Sequence, residues 1–329
     1  MKKKTAYFSD STVLDKDNLA LVTDLTSGFS KELAQTLGFD LVTFSVSFKN
    51  NGETIEYKDG NEESDNFYVQ LADEKTVDAK TGSSIEDFVR IFKTRLGEGK
   101  LVVYLGVTDS LSAGMRNAAM TARQMICDEC PDLHADENVL ILATHCIAGG
   151  LGLNLKMLRR WLDESPRTVV ELKEKVTFLG NHMAHIFTLF SYDYMKRSGR
   201  FASTKDQLKI ALAKTMKIYP VMLSPRNGPL QPTWKKVRGD KALIRTFVDI
   251  YAETAIDPEN ATVEIDYSGP TDISFVAYRK ADELRKELGA RFPNAKVITA
   301  QTSPSVGCHV GPDEISFFFL QKDIRPDMN

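Results

Sequence analysis

This sequence of 329 residues lacks the features that mark membrane and secreted proteins. No apolar run approaches the roughly 18 residues that a membrane-spanning helix requires, so no span is expected. The opening MKKKTAYFSDST is basic, but no apolar stretch follows it, so a secretory signal is not expected. Only four cysteines are present, and without a signal we expect reduced thiols of a cytoplasmic protein rather than a disulfide framework.

Several catalytic and nucleotide-binding signatures are missing as well. The sequence has no G-x-S-x-G nucleophile elbow, no Walker A motif and no G-x-G-x-x-G at a strand–helix junction. The glycine-rich GGLGLN at 149–154 contains no lysine and is expected to shape the start of a helix. A formal net charge of −3 argues against binding nucleic acid through a diffuse basic surface.

What is present is an alternation of strand-like and helix-like segments, with 42% hydrophobic residues to supply a core. Residues 1–165 predict an N-terminal α/β domain with a mostly parallel, doubly wound sheet. Residues 166–329 contain longer strand-like segments and predict a C-terminal α/β domain with a mixed sheet. The segments read as strands of the first domain are TAYFSDST, LVTFSVSF, KLVVYLGVT and NVLILATH.

Three polar, glycine-containing turns adjoin predicted core strands, namely 80–84, 106–114 and 305–314. In an α/β sheet, loops at the carboxyl ends of the strands line the ligand crevice. Ser112, Ala113 and Gly114 lie where a helix is predicted to start, and the hydroxyl and amide groups there suit an anion. Simple capping of that helix by a serine is the alternative.

His309 is the titratable residue of the third turn, SVGCHVGPDE, directly before the aromatic strand EISFFFL. We expect Gly311 and Pro312 to fix the ring at a sharp corner, and a preorganised polar group of this kind is what a binding site needs. A histidine that only hydrogen-bonds the backbone is the competing interpretation.

Cysteine and histidine spacing raises the possibility of a metal or redox site. Cys127 and Cys130 form a CxxC with His134 nearby, which matches half of a zinc site but has no second half. His182 and His185 are three residues apart, without an accompanying carboxylate pattern. Packing is the preferred interpretation of both groups, and no metal or cofactor is expected.

Taken in order, these turns and their flanking segments resemble the DegV family of bacterial fatty-acid-binding proteins, which includes the fatty-acid-carrying subunits of fatty acid kinase. The resemblance covers nearly the whole chain, and its specificity comes from the ordered set rather than from any single motif. The segments that carry it are YFSDSTVLD, YKDG, NFYVQLA, KTGSSIEDF, SLSAGMRNAAMTA, YDYMKRSGRFAS, KIYPVMLSPRNGPLQPTWKKVRG and GCHVGPDEISFFF.

The resemblance implies a DegV-like pair of α/β domains that enclose a long-chain fatty acid in a buried tunnel. It further implies that the protein is not an enzyme, and that it presents the bound acid to a separate ATP-dependent kinase for acyl-phosphate formation. Arg200 is a candidate for partner contact. The residues implied to hold the carboxyl head at the domain interface are Thr81, Ser83, Thr108, Ser112, Ala113, Gly114, Arg238 and His309.

This chain also departs from the family pattern. Asp109 and Asp313 add acids near the implied carboxylate site, where they would repel the ligand unless they are paired or face solvent. Two alternatives to a lipid carrier stay open. One is a stand-alone hydrolase acting on a lipid through a serine and His309, and the other is a redox or metal protein using Cys127 and Cys130.

Overall fold

The computed structural model describes residues 7–50, 52–57, 64–72, 76–81, 85–190, 218–227 and 231–326. Within these ranges the chain has a mixed α/β architecture, as the sequence predicts. A four-stranded parallel sheet and a six-stranded mixed sheet form its framework, with a three-stranded sheet and a two-stranded ribbon beside them. None of the helices in these ranges is long and apolar enough to cross a bilayer.

The parallel sheet has the strand order β3-β2-β7-β8 and is buried on both faces. Leu101, Val103 and Leu105 of β7 point to one apolar core, while Val102 and Tyr104 point to another. Both faces are therefore covered, as the run LVVYL predicts. The elements are β2 (Leu19–Asp24), β3 (Phe39–Val42), β7 (Leu101–Leu105), β8 (Val139–Leu142), α1 (Lys31–Thr36), α3 (Ile85–Gly97), α4 (Asp109–Glu129), α5 (Ala135–Asn138) and α6 (Ala148–Glu164).

The first strand of this sheet is β2, so the prediction of a strand at TAYFSDST is wrong. Residues 7–12 form no strand, Tyr7 is 63% exposed, and β1 is only Val13–Leu14, paired with β9 (Arg167–Thr168). The apolar run of β2 can be buried on both faces, whereas the polar segment before it cannot. The acid at the end of the first strand is consequently Asp24.

The six-stranded sheet has the order β12-β11-β10-β15-β13-β14, and of its described neighbouring pairs β13–β14 is parallel while the other four are antiparallel. Two helices pack on its outer face, and α6 packs on its inner face. The elements are α7 (Val169–His182), β10 (Met183–Leu189), β11 (Ile218–Leu223), β12 (Gln231–Arg238), α8 (Asp240–Thr254), β13 (Thr262–Ser268), α9 (Val276–Arg291), β14 (Lys296–Gln301), α10 (Pro304–Val310) and β15 (Glu314–Leu320).

The three-stranded antiparallel sheet packs against α10. Its strands enclose an aromatic cluster that includes Phe48, Phe67 and Tyr68, with Cys308 of α10 packed against it. The Tyr68 hydroxyl donates to the carbonyl of Thr302 at 2.7 Å, which fixes the start of α10. The elements are β4 (Val46–Asn50), β5 (Glu53–Tyr57), α2 (Ser64–Leu71) and β6 (Thr76–Thr81).

Helix α6 joins the two large sheets. It packs on the parallel sheet through Leu151 and Leu155, and on the mixed sheet beside Phe318. The backbone N–H of Gly149 donates to Asp266 of β13 at 2.7 Å. A domain boundary at residue 165 would leave α6 in the first domain while it covers the second, so the two-domain division stays a prediction.

Gly152 marks the closest approach of α6 to the turn after β2. A Cβ at Gly152 would lie 2.6 Å from the carbonyl oxygen of Ser27, a backbone atom that cannot swing away. We expect Gly152→Ala to lower the free energy of unfolding by about 2 kcal/mol, as overpacking typically does. Gly289→Ala on α9 is the matched control, because nothing lies within 4 Å of its Cβ position.

The control should stabilise the protein by up to about 1 kcal/mol through helix propensity. Urea denaturation of both variants measures the two values. Equal effects of the two substitutions would contradict the close packing of α6 on the turn.

Candidate functional site

The carboxyl end of β2 carries a buried acid that the sequence analysis did not single out. Asp24 accepts hydrogen bonds from the Tyr104 hydroxyl at 2.6 Å and from the Thr26 backbone N–H at 2.8 Å. Burial raises the pKa of Asp24, and these hydrogen bonds oppose the rise. A Cβ at Gly106 would lie 2.5 Å from Asp24 Oδ2, so the cluster is tightly packed beneath the loops. The signal in the sequence was an acid closing the apolar run LALVTD.

The second predicted turn begins α4 in two steps. Thr108 is the buried N-cap residue, and its carbonyl accepts from the N–H groups of Leu111 and Ser112 at 3.1 and 3.0 Å. Ser112 has non-helical angles (φ −151°, ψ 80°), so the regular helix starts at Ala113. Ala113 and Gly114 are exposed at this point. Ser112 thus directly precedes the point where regular helical geometry begins again within α4.

The two additional acids have different surroundings. Asp109 is exposed and forms an ion pair with Arg116, two turns further along α4. Its negative charge is thereby offset before it can act on a bound anion. Asp313 is half-buried, and its backbone carbonyl accepts from Phe190 N–H at 2.7 Å.

The third predicted turn is a short helix, so the sharp corner expected at His309 is not present. Residues 304–310 form α10, and Gly311 follows it with a φ of 88°, a left-handed value that favours glycine. His309 lies in the last turn of α10 and is half-buried. Pro304 at the first helical position explains the difference, because proline is well suited to start a helix there.

A cavity of about 40 Å³ lies between α10, the start of α4 and the inner face of the mixed sheet. It is far smaller than the roughly 300–1,000 Å³ of ordinary ligand pockets. A long acyl chain would therefore have to displace side chains here. The lining residues are Leu111, Ile147, Ala148, His185, Phe187, Thr302, Val306, His309, Val310, Glu314 and Ser316.

Three polar lining residues are hydrogen-bonded to each other. His185 Nε2 lies 3.0 Å from Ser316 Oγ, and the Ser316 hydroxyl donates to the Glu314 carboxylate. Burial lowers the pKa of His185 to about 3, with the charge of Arg325 adding to the effect. Burial raises the pKa of Glu314 to about 7, against the hydrogen bonds from Ser316 and Thr302.

This arrangement does not have the order of a catalytic triad. In a triad, histidine lies between the serine and the acid, and the acid orients the ring. Here Ser316 lies between His185 and Glu314. The ring of His185 is also a poor general base, because its pKa is far below neutrality. These three residues therefore do not form a catalytic triad.

The remaining predicted site residues lie apart from this cavity or outside the described ranges. Thr81 is exposed at the end of β6, and Arg238 is exposed at the end of β12 opposite Ile218. Thr108 lines a separate cavity of about 30 Å³ together with His145. Ser83 and Arg200 lie outside the described residues. Of the second and third predicted turns, Leu111 and His309 line the same cavity.

The cysteines of the CxxC are free and half-buried. Among the residues that the structure describes, no group of three histidine, cysteine or acidic side chains has the arrangement of a metal site. His182 and His185 lie in different environments. His182 Nδ1 lies 3.0 Å from the carbonyl oxygen of Gln321, whereas His185 lines the cavity.

Comparison with known proteins gives one consistent family. A family model described as "Uncharacterised protein, DegV family" matches residues 18–322. A DegV domain-containing protein of Caldanaerobacter subterraneus is 25% identical over 308 residues, which cover 93% of this chain and all of that protein. The matched range starts at β2, in agreement with the first strand of the structure.

Solved structures with the same fold include fatty-acid-binding proteins. A DegV family protein from Thermus thermophilus, described for its fatty acid binding, superposes with a TM-score of 0.75 at 21% identity, covering 92% of this chain and 99% of that one. The Streptococcus pneumoniae fatty acid kinase B3 protein loaded with linoleic acid gives a TM-score of 0.71 at 16% identity, with coverage of 92% and 99%.

Proposed function

Because the chain belongs to the DegV family, we propose that it binds a long-chain fatty acid and is not itself an enzyme. The observation that carries the proposal is the cavity between α10, α4 and the mixed sheet, where apolar side chains meet one half-buried histidine. Relatives of the same fold that carry fatty acids support it. The expected ligand is the fatty acid alone, without a cofactor.

The carboxyl head belongs at the His309 end of the cavity. A buried carboxylate needs hydrogen-bond donors, since leaving it unpaired is very costly. His309 offers a ring nitrogen, and the start of α4 offers the hydroxyls of Thr108 and Ser112 and the amides of Ala113 and Gly114. Thr81, Ser83 and Arg238 also belong to the proposed head-group set, although Thr81 and Arg238 do not line this cavity and Ser83 lies outside the described residues.

The acyl tail extends from this end into a small apolar cluster beside the cavity. Phe187, Leu189 and Met222 form the cluster, and Leu111 and Val310 pack on it while also lining or flanking the cavity. Met222 is flexible and unbranched, so it can repack around a ligand at low cost. Entry of the tail thus widens the cavity into the proposed tunnel.

Removing the imidazole of His309 should weaken binding. We expect His309→Ala to raise the dissociation constant for hexadecanoic acid roughly tenfold to a hundredfold, because a hydrogen bond to a charged group contributes about 1.5–3 kcal/mol. Calorimetric titration measures the change, and thermal unfolding checks that the variant is folded. Arg238→Ala, at an exposed position, is the comparison for loss of a cationic donor.

An unchanged affinity in His309→Ala would remove this residue from the head-group site. A loss only in Arg238→Ala would move the head group to the end of β12.

We also propose that the bound acid is presented to a separate ATP-dependent kinase, which phosphorylates its carboxylate in the cytoplasm. A carboxyl at the loop end of the cavity is closer to solvent than the tail, and this placement suits transfer to a partner. Arg200 is the proposed contact residue. Acyl-phosphate formation by a fatty acid kinase that depends on adding this protein would support the step, and formation without it would count against it.

A further inference from the structure

The inner face of the mixed sheet carries buried polar side chains at positions where an acyl-binding surface would be expected to be apolar. Side chains alternate along β13 and β15, and those of one face are apolar and point toward α8 and α9. The opposite, inner face includes the apolar Phe318 and Phe187. Six other side chains of the inner face are polar, and each is at most 9% exposed. They are Glu264, Asp266 and Ser268 of β13, Glu314 and Ser316 of β15, and His185 of β10.

Five of these six polar groups fall into two sets, and the sixth, Ser268, accepts from the backbone N–H of Glu314 at 2.9 Å. Glu264 and Asp266 bind α6, through Lys156 Nζ at 2.8 Å and the Gly149 N–H at 2.7 Å respectively. They hold α6 on the sheet and do not line the cavity. His185, Ser316 and Glu314 line the cavity instead. The hydrogen bonds of this second set join its members to one another.

The second set, which we call the polar triplet (His185, Ser316 and Glu314), lies close to the proposed carboxyl site. His309 and His185 border the same space of about 40 Å³, little more than the room of a water molecule. A ligand atom that contacts the triplet is therefore only a few bonds from a carboxyl group held by His309.

We propose that the fatty acid taken up by this protein carries a hydroxyl group on the first or second carbon from its carboxyl (the α- or β-carbon), and that the polar triplet binds this hydroxyl. The inference rests on the proposed function and specifies its ligand class. It identifies a β-hydroxy acid as the representative ligand.

A hydroxyl group fits the chemistry of the triplet better than a methylene does. The ligand hydroxyl inserts between Ser316 and Glu314: it accepts from the Ser316 hydroxyl, which otherwise donates to Glu314, and donates to the Glu314 carboxylate in its place. A methylene at the same point can neither donate to Glu314 nor accept from Ser316. Sites built to bond a hydroxyl discriminate strongly against analogues that lack it.

Paired titrations test the inference. The wild-type protein should bind the β-hydroxy derivative of hexadecanoic acid about tenfold more tightly than hexadecanoic acid itself, which corresponds to about 1.4 kcal/mol. The ω-hydroxy derivative should show no such gain, because its hydroxyl is at the far end of the tail. Ser316→Ala and His185→Phe should each bring the affinity ratio of the β-hydroxy and unsubstituted acids close to one.

Val310→Ala is the matched control, since it changes an apolar lining residue outside the triplet. It should alter both affinities in proportion and preserve their ratio. Equal wild-type affinity for the β-hydroxy and unsubstituted acids would overturn the inference and leave the proposed function standing. An equal gain with the ω-hydroxy acid would overturn it as well. Failure of all three acids to bind would overturn the proposed function itself. The ratio of the wild-type affinities for the β-hydroxy and unsubstituted acids tests the inference even if a variant does not fold.

Discussion

Extending a saturated acid from ten to sixteen carbons should increase its affinity for this protein about a thousandfold. Each methylene removed from water contributes roughly 0.8 kcal/mol, so six of them contribute about 5 kcal/mol before ordering costs. A factor of ten in affinity corresponds to about 1.4 kcal/mol. No other change considered for this protein has an expected effect of this size. Competition titrations with acids of increasing length measure it directly.

The slope of this series separates a buried tail from a surface contact. A tail that lies on the surface remains partly hydrated and gives a much shallower dependence on length. The sixteen-carbon alcohol is the control for the head group, because it keeps the tail and lacks the acid. Affinities that do not change with chain length would contradict the tunnel.

Replacing the buried acid Glu314 with its neutral isostere should make the protein markedly more stable at alkaline pH. We expect the free energy of unfolding of Glu314→Gln, relative to the wild type, to rise by about 3 kcal/mol between about pH 4 and pH 8. The reason is the pKa of Glu314, which burial raises from the ordinary 4.5 to about 7. Glutamine can still accept the hydrogen bond from Ser316.

The sign follows from proton uptake. Below pH 4.5 the carboxyl of Glu314 is protonated in both states, and above pH 7 it is ionised in both. Between these values the folded state holds the proton and the unfolded state has lost it, so the wild type loses stability as the pH rises. His185 contributes with the opposite sign, since burial lowers its pKa to about 3. Because the wild type and Glu314→Gln both contain His185, its contribution cancels in the difference between their free energies of unfolding.

Urea denaturation at a series of pH values measures this difference. Glu287→Gln on α9 is the matched control, because its side chain is exposed and solvent screens the charge that is removed. A constant stability difference between Glu314→Gln and the wild type across the series would show that the carboxyl of Glu314 is not desolvated.

The sequence was sufficient for elements whose environment follows from their own pattern. The unbroken apolar run Leu101–Leu105 predicts a strand buried on both faces, and it is the centre of the parallel sheet. The helix starting near Ala113 was likewise predicted from its polar entry. The first strand was misplaced because a polar turn after Tyr7 resembled a strand end more closely than the run at Leu19–Asp24 did.

The burial of polar side chains on the inner face of the mixed sheet was the feature hardest to predict from the sequence. Alternation of Glu314 and Ser316 with Ile315 and Phe317 is typical of a strand with one face in water. In the structure that face is buried, because α6 and α10 lie over it. Coverage of this kind depends on long-range packing, which single-strand periodicity does not encode. The ion pair of Asp109 with Arg116 was also not predicted, since the two residues lie seven positions apart, on either side of the kink at Ser112.

The fatty acid itself provides the most direct test of the account. The purified protein is incubated with excess hexadecanoic acid and its β-hydroxy derivative, freed of unbound lipid by gel filtration, and denatured. Mass spectrometry of the extract then counts the retained acid against protein. We predict near-stoichiometric recovery, with the β-hydroxy acid in excess. Recovery of neither acid from folded protein would contradict the central claim.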